Sequence, residues 1–158
     1  MSVTRRKFGK TKDGEPVTLY TITNKMGNSV SIMDYGATVQ SINIVDAEGE
    51  VIDCCLGYNT VAEYEEHTDF MGACIGRVGN RIGGSSFSLN GQTYTLAANE
   101  GENHLHGGLK GFDKQMFKAK IDSDDTVTFG CISPDGEEGY PGEFMFIVSY
   151  TFDDCDNF

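Results

Sequence analysis

The sequence predicts an all-β domain built from antiparallel strands. Three observations carry that expectation. Turn-forming Gly, Asn and Asp recur at short intervals, at Asp13-Gly14, Met26-Gly27-Asn28, Tyr35-Gly36, Glu48-Gly49, Asn90-Gly91 and Asp135-Gly136. The runs between them are rich in β-branched and aromatic residues, which suit a pleated, half-buried surface. Several of those runs also alternate apolar with polar residues, the period of a strand with one face on a core.

Residues 17–23 place Val17, Leu19 and Thr21 on one face and Thr18, Tyr20 and Ile22 on the other. Residues 29–33 and 38–45 alternate more cleanly, with Val39, Ser41, Asn43 and Val45 opposite Gln40, Ile42 and Ile44. Each is expected to be a strand with one face toward a core. Residues 51–56 form a nearly continuous apolar run ending at Gly57, the pattern of a strand buried on both faces. A short helix is expected over 60–66, because Thr60 can cap the first turn and Glu63, three residues on, completes a capping box. Residues 86–96 read as a hairpin: Asn90-Gly91 permits the positive φ angles of a type I′ turn, and Phe87 and Leu89 alternate against Tyr94 and Leu96.

Three more strands are expected over 116–121, 126–132 and 143–152, the last alternating through Phe144, Phe146, Val148, Tyr150 and Phe152. Residues 133–142 form a turn-rich loop between two of them. The chain shows no repeat or linker, so residues 1–158 are expected to be a single domain. Its last residues read as a turn into a hairpin whose second strand is missing. A homodimer or a partner chain is then expected to cover the open sheet edge. Faces such as Phe144, Phe146, Val148 and Tyr150 would lack full covering, which predicts marginal stability.

Twelve basic against 24 acidic residues give a formal charge of -12, which excludes nucleic acid and anionic membranes as partners because phosphate contacts need concentrated Lys and Arg. No run approaches the ~20 apolar residues of a membrane span. The basic start, residues 1–8, leads into Gly9-Lys10-Thr11-Lys12-Asp13 and not into an apolar stretch. It is no signal peptide, and a cytoplasmic protein is expected. Five cysteines without CxxC spacing (Cys54, Cys55, Cys74, Cys131, Cys155) are expected to be reduced and mostly buried. No zinc-ligand spacing occurs, and no metal is expected. The acidic group Glu63, Glu65, Glu66 and Asp69 reads as a solvated face.

Residues 72–114 hold the chemistry. Arg77 and Arg81 flank Val78-Gly79-Asn80, and Arg with Asn offers a fork of donors plus an amide, a set that grips neutral polyhydroxylated ligands. The alternative is a surface arginine paired with an acid. His104 and His106 lie two apart and precede Gly107-Gly108; on an extended segment both rings point one way, and in a loop their directions are open. They are read as site residues, as structural histidines or as a metal pair, with no third ligand evident and His67 in an unrelated acidic stretch. Gly107-Gly108-Leu109-Lys110-Gly111 lacks the spacing of a phosphate loop, and no Gly-x-Ser-x-Gly occurs. No cofactor is expected.

The motifs Gly76-Arg77-Val78-Gly79-Asn80-Arg81-Ile82, Asn103-His104-Leu105-His106-Gly107-Gly108 and Gly111-Phe112-Asp113-Lys114, in that order, resemble the aldose 1-epimerase (galactose mutarotase) family. The resemblance extends from Leu19-Tyr20-Thr21-Ile22-Thr23-Asn24 and Asp34-Tyr35-Gly36-Ala37 through Leu56-Gly57-Tyr58 to Ser133-Pro134-Asp135-Gly136-Glu137-Glu138-Gly139-Tyr140-Pro141-Gly142. It implies a large antiparallel β-sandwich and cofactor-free interconversion of the α and β anomers of aldoses such as galactose and glucose. It implies that Asn80 and Arg81 bind sugar hydroxyls and that His106 hydrogen-bonds near the ring oxygen and anomeric centre. Arg77 and His104 match the motifs without a role that the resemblance assigns. The family's catalytic acid, a histidine in an Asn-His-x-x-Phe-Asn context, and its base, a glutamate near the far C-terminus, match no position in this chain. The expectation is therefore the N-terminal portion of an epimerase, inactive or very weak alone. The alternatives are a non-catalytic carbohydrate-binding or regulatory module, and one half of a split enzyme.

Overall fold

Antiparallel strands joined by tight turns fold back on their neighbours, and the first five strands do so without a crossover. In the computed structural model, which describes residues 1–158, β1 (Ser2–Lys10), β2 (Pro16–Thr23), β3 (Ser29–Met33), β4 (Thr38–Val45) and β5 (Val51–Asp53) form one sheet in that spatial order. A short helix, α1 (Val61–Glu66), follows. Next come β6 (Arg81–Ile82), the hairpin β7 (Ser86–Leu89) and β8 (Gln92–Thr95), and β9 (His104–Leu105). Finally β10 (Lys118–Ile121), β11 (Thr126–Ser133) and β12 (Phe144–Thr151) form a three-stranded antiparallel sheet. No helix is long and apolar enough to cross a membrane.

The two large sheets pack face to face. Tyr20, Ile22, Val30 and Ile32 of the first meet Val127 and Phe129 of the second, with Phe112, Phe117 and Phe152 filling the space between. This is the antiparallel β-sandwich the sequence predicts. Fully burying each such side chain stabilises the fold by about 1.5–3 kcal/mol, so this cluster is what holds the layers together.

Single-faced burial was too simple an expectation for β2. Its other face, Val17 and Leu19, packs with Met33 and Tyr35 against Val61 and Tyr64 of α1. The helix is short but fixed by the expected capping box: Thr60 accepts from the Glu63 amide, and the Glu63 carboxylate accepts from the Thr60 amide at 2.9 Å. β4 departs from strict alternation for a local reason. Ser31 pairs with Ser41 but Ile32 pairs with Val39, so Gln40 is an extra residue in the ladder. That bulge turns both Val39 and Ile42 toward the core, where both pack.

Residues 51–56 are corrected by the structure. β5 is an edge strand with Val51 and Ile52 more than half exposed. Its ladder ends at Asp53, whose carboxylate accepts the amides of Ile42 and Cys55, and a last backbone bond runs from the Cys54 amide to the Ile42 carbonyl at 2.7 Å. The cysteines are also not buried: all five are free, Cys54 and Cys155 exposed and the others half-buried. The hairpin stands as expected, with Asn90 at φ 52° and Gly91 at φ 80°.

The basic start, left unassigned by the periodicity, forms β1, paired with β2 from Ser2↔Thr23 to Lys10↔Pro16. It lies at the rim of the sheet with Arg5, Arg6, Lys7 and Lys10 exposed. At the rim of the other sheet, Phe146, Val148 and Tyr150 of β12 turn inward and pack half-buried on the core. Phe144, Met145 and Ile147 remain exposed. The last residues are pinned by Asn24 and Asn28, whose amides both donate to the Asp156 carboxylate, at 2.6 and 2.8 Å.

Candidate functional site

The smallest ladder in the molecule builds the site. β6 pairs with β9, Arg81 opposite Leu105 and Ile82 opposite His104, which brings the arginine motif and the histidine motif side by side. Just outside that ladder two residues leave the extended conformation: Asn80 at φ 64° and His106 at φ 51°. They hold one another. The His106 amide donates to the Asn80 carbonyl at 3.1 Å, and the Asn80 amide donates to His106 Nδ1 at 2.9 Å. An amide can only donate, so Nδ1 is the acceptor, and in the neutral ring the proton sits on Nε2. Phe70 packs edge-on against the same imidazole, centroids 4.9 Å apart.

Arg81 projects from the ladder with its side chain about half exposed. Its guanidinium grips Glu100 through two nitrogens, Nε to Oε2 at 2.9 Å and Nη2 to Oε1, and Nη1 reaches the Asn80 side-chain oxygen at 3.3 Å. The hydrogen bonds from Arg81 hold the Glu100 carboxyl below its ordinary range. Asn80, Arg81 and His106 thus form one cluster, with an amide, a guanidinium and an imidazole N–H available to a ligand rich in hydroxyls.

Sequence reasoning missed three contributors. Asn99 accepts the Leu105 amide at 2.7 Å and donates to the carbonyls of Leu105 and Gly108, tying β9 to the glycine turn. Glu100 orients Arg81. Asp113, in the Gly-Phe-Asp-Lys motif, is buried with its Oδ1 unpartnered, and burial raises its carboxyl above the ordinary value despite Lys114 and His106 nearby. Asn99 and Glu100 in turn-rich sequence look like ordinary loop residues, and Asp113 stands in a recognised motif but nothing local shows that it is buried. A cleft of about 270 Å³ opens here, its wall including Phe70, Asn99, Glu100, Leu105, Gly108 and Asp113. Neither this cleft, which adjoins the cluster through Phe70 and Glu100, nor a larger depression of about 510 Å³ around Thr11, Lys12, Glu65 and Lys110 is lined by Asn80, Arg81 or His106 themselves.

The other motif residues are placed elsewhere. His104 is fully buried; Nδ1–H donates to the Ala97 carbonyl at 2.8 Å and Nε2 accepts from the Tyr140 hydroxyl at 2.7 Å. Burial pushes that hydroxyl up to about 12. Both ring nitrogens of His104 are committed, so it offers nothing to a ligand. The two histidines diverge because His106 adopts a left-handed backbone while His104 stays extended in β9. Arg77 faces the 133–142 loop, where it donates to Ser133 Oγ and to the carbonyls of Ser133, Pro134, Pro141 and Gly142. His67 stacks on Tyr58, centroids 4.6 Å apart. No group of three or more His, Cys, Asp or Glu side chains is arranged to hold a metal.

A sequence model of the family described as aldose 1-epimerase matches residues 18–158. The chain belongs to the aldose 1-epimerase family. Its relatives include galactose mutarotase of Sus scrofa, 39% identical over 153 residues that make up 97% of this chain and 44% of that protein. Another is aldose 1-epimerase of Escherichia coli K12, 39% identical over 142 residues, 90% of this chain and 41% of that protein. Among solved structures, galactose 1-epimerase from Lactobacillus acidophilus superposes with a TM-score of 0.80 at 26% identity, covering 98% of this chain and 45% of that one. A GalM/aldose epimerase homologue from C. elegans also gives 0.80, at 31% identity over 85% of this chain and 41% of that one. This aldose 1-epimerase family chain therefore has the sandwich of the galactose mutarotase type. It spans less than half the length of the relatives it matches.

Proposed function

We propose that this chain binds an aldose through Asn80, Arg81 and His106, and that it is the sugar-binding part of a mutarotase acting on hexoses such as galactose and glucose. The observation that carries this reading is the reciprocal lock between Asn80 and His106. It sets the imidazole with Nε2–H free to donate beside the Arg81 guanidinium and the Asn80 amide. Mutarotation needs a proton taken from the C1 hydroxyl and one delivered to the ring oxygen, after which the C1–C2 bond rotates and the ring recloses. In this scheme His106 Nε2–H steadies the ring oxygen or anomeric oxygen, and Arg81 and Asn80 hold neighbouring hydroxyls.

Proton transfer itself is assigned to other groups. Glu100 is tied to Arg81, and Asp113 is buried beneath the glycine turn, so neither is placed as a free acid or base. Because each proton-transfer group typically supplies on the order of 10²–10⁴ in rate, the 158-residue chain alone is expected to exchange anomers slowly. That same arrangement favours a second reading, a carbohydrate-binding module without turnover.

Galactose titrated into the ¹⁵N-labelled chain is expected to shift the His106 and Arg81 side-chain resonances, and His106→Ala is expected to abolish binding. NMR exchange of α-galactose, corrected for the spontaneous rate, then separates turnover from binding alone. A saturating titration that leaves His106 and Arg81 unmoved refutes the sugar site.

A further inference from the structure

We infer that Glu138 is a positioning residue for His106, acting through the glycine turn that follows it. The inference rests on the reading of His106 as a sugar ligand for its functional meaning, and on the geometry for its existence. Three consecutive residues, His106, Gly107 and Gly108, have left-handed backbones at φ 51°, 92° and 107°. Such a turn is not self-sustaining: glycines lose the most freedom on ordering, and a non-glycine residue in this region persists only when its surroundings over-determine it. From the β6 side the turn is held by the bond from His106 to Asn80, and from its own strand β9 by the bond from Gly108 to Leu105. From the opposite side, the amides of Leu109 and Lys110 converge on the two oxygens of the Glu138 carboxylate, each at 2.9 Å.

Successive amides pointing into one concavity make an anion-binding nest, and here the protein supplies the anion itself. Space for it exists only because residue 108 has no side chain. A Cβ on Gly108 would lie 2.1 Å from the Glu138 carboxylate oxygen. Glu138 in turn sits on a braced platform. Arg77 holds the flanks of the loop at Ser133, Pro134, Pro141 and Gly142. The Tyr140 hydroxyl is locked to buried His104, and Glu137 accepts from Gln115 at 3.0 Å. Arg77 and His104, which belong to the sequence motifs but stand apart from the sugar-binding cluster, therefore brace the loop that fixes the turn carrying His106.

The test uses the 158-residue chain with ¹⁵N-labelled histidine. In wild type the His106 ring is expected to show Nδ1 as an unprotonated acceptor and Nε2 as protonated. Glu138→Gln preserves shape but faces one amide with a donor in place of an acceptor. It is expected to bring the two ring-nitrogen shifts toward each other as the tautomers mix, and to weaken galactose binding about tenfold, the scale of one lost charge-assisted bond. Gly108→Ala, which pushes a methyl group into the carboxylate, is expected to reproduce the ring-nitrogen change. Glu143→Gln, an exposed acid immediately after that loop, is expected to leave both readouts within twofold of wild type.

The inference is overturned if folded Glu138→Gln keeps the wild-type ring-nitrogen pattern, even if its melting temperature falls, because a merely structural residue would behave so. If Glu138→Gln does not fold, wild-type amide exchange decides: protection of Leu109 and Lys110 supports the anchor, and exchange at the rate of a free loop overturns it. If galactose fails to bind wild type, the sugar site is lost while the ring-nitrogen comparison still judges the positioning role.

Discussion

Arg77→Ala is expected to destabilise the chain by about 4–5 kcal/mol and Arg77→Lys by about 1–2 kcal/mol. The guanidinium engages five acceptors: Nε donates to Ser133 Oγ at 2.9 Å, Nη2 to the carbonyls of Ser133 and Pro134 at 2.9 and 2.8 Å, and Nη1 to those of Pro141 and Gly142 at 3.1 and 2.7 Å. The Pro134 and Gly142 bonds lie at the surface, where freed carbonyls turn to water. The part-buried acceptors on Ser133 and Pro141 do not, and each contributes about 1 kcal/mol. The charge also lies 5.8 Å from the Tyr140 ring centroid and 5.7 Å from that of Phe144, each contact adding about 0.5–1 kcal/mol. Lysine keeps the charge but presents a point donor, so it recovers one or two of the bonds. Urea denaturation followed by circular dichroism reads the loss, with the m-value expected to stay constant. An Arg77→Lys variant within about 0.5 kcal/mol of wild type, the range of an ordinary surface change, would refute the claim that the forked geometry holds the loop.

Two further outcomes follow from the backbone and from burial. Gly91→Ala, where φ is 80° with open space around it, is expected to cost about 1–2 kcal/mol from backbone strain alone. Gly107→Ala would put a methyl 1.6 Å from the Gly76 carbonyl oxygen and should be far worse; equal melting shifts would contradict that reasoning. Asp113 has its carboxyl raised above the ordinary 3.8 chiefly by burial. Its contribution to stability is therefore full below that ordinary value and lost as pH rises through the raised one. Asp113→Asn should raise the melting temperature at about pH 7 and have no effect near pH 3, and an equal effect at both would exclude burial as the cause.

The strands were legible where sequence period and burial coincide. The hairpin around Asn90-Gly91 and the capping box at Thr60 were legible for the same reason: both are local, set by residues within a few positions of one another. β1 was not, because an edge strand rich in Arg and Lys carries no alternation that a core would impose. The bulge at Gln40 was invisible because one inserted residue preserves composition while exchanging faces. In the site, the adjacency of the two motifs could be read as a pattern. The split between a buried His104 and a His106 locked to Asn80 could not, since it depends on one φ angle. Arg77 and Arg81 are the same residue type four positions apart, and only the tertiary fold sends one to the 133–142 loop and the other to Glu100.

The rims of the two sheets give the molecule a polarity toward its own copies. A strand edge is a template for further pairing. On β1 that template carries Arg5, Arg6, Lys7 and Lys10, so a second β1 arriving to extend the sheet would meet its own charge. β12 carries no such guard and shows Phe144, Met145 and Ile147 to solvent. Strand addition is thus opposed by charge at β1 and unopposed at β12 and at β5, whose Val51 and Ile52 are likewise exposed.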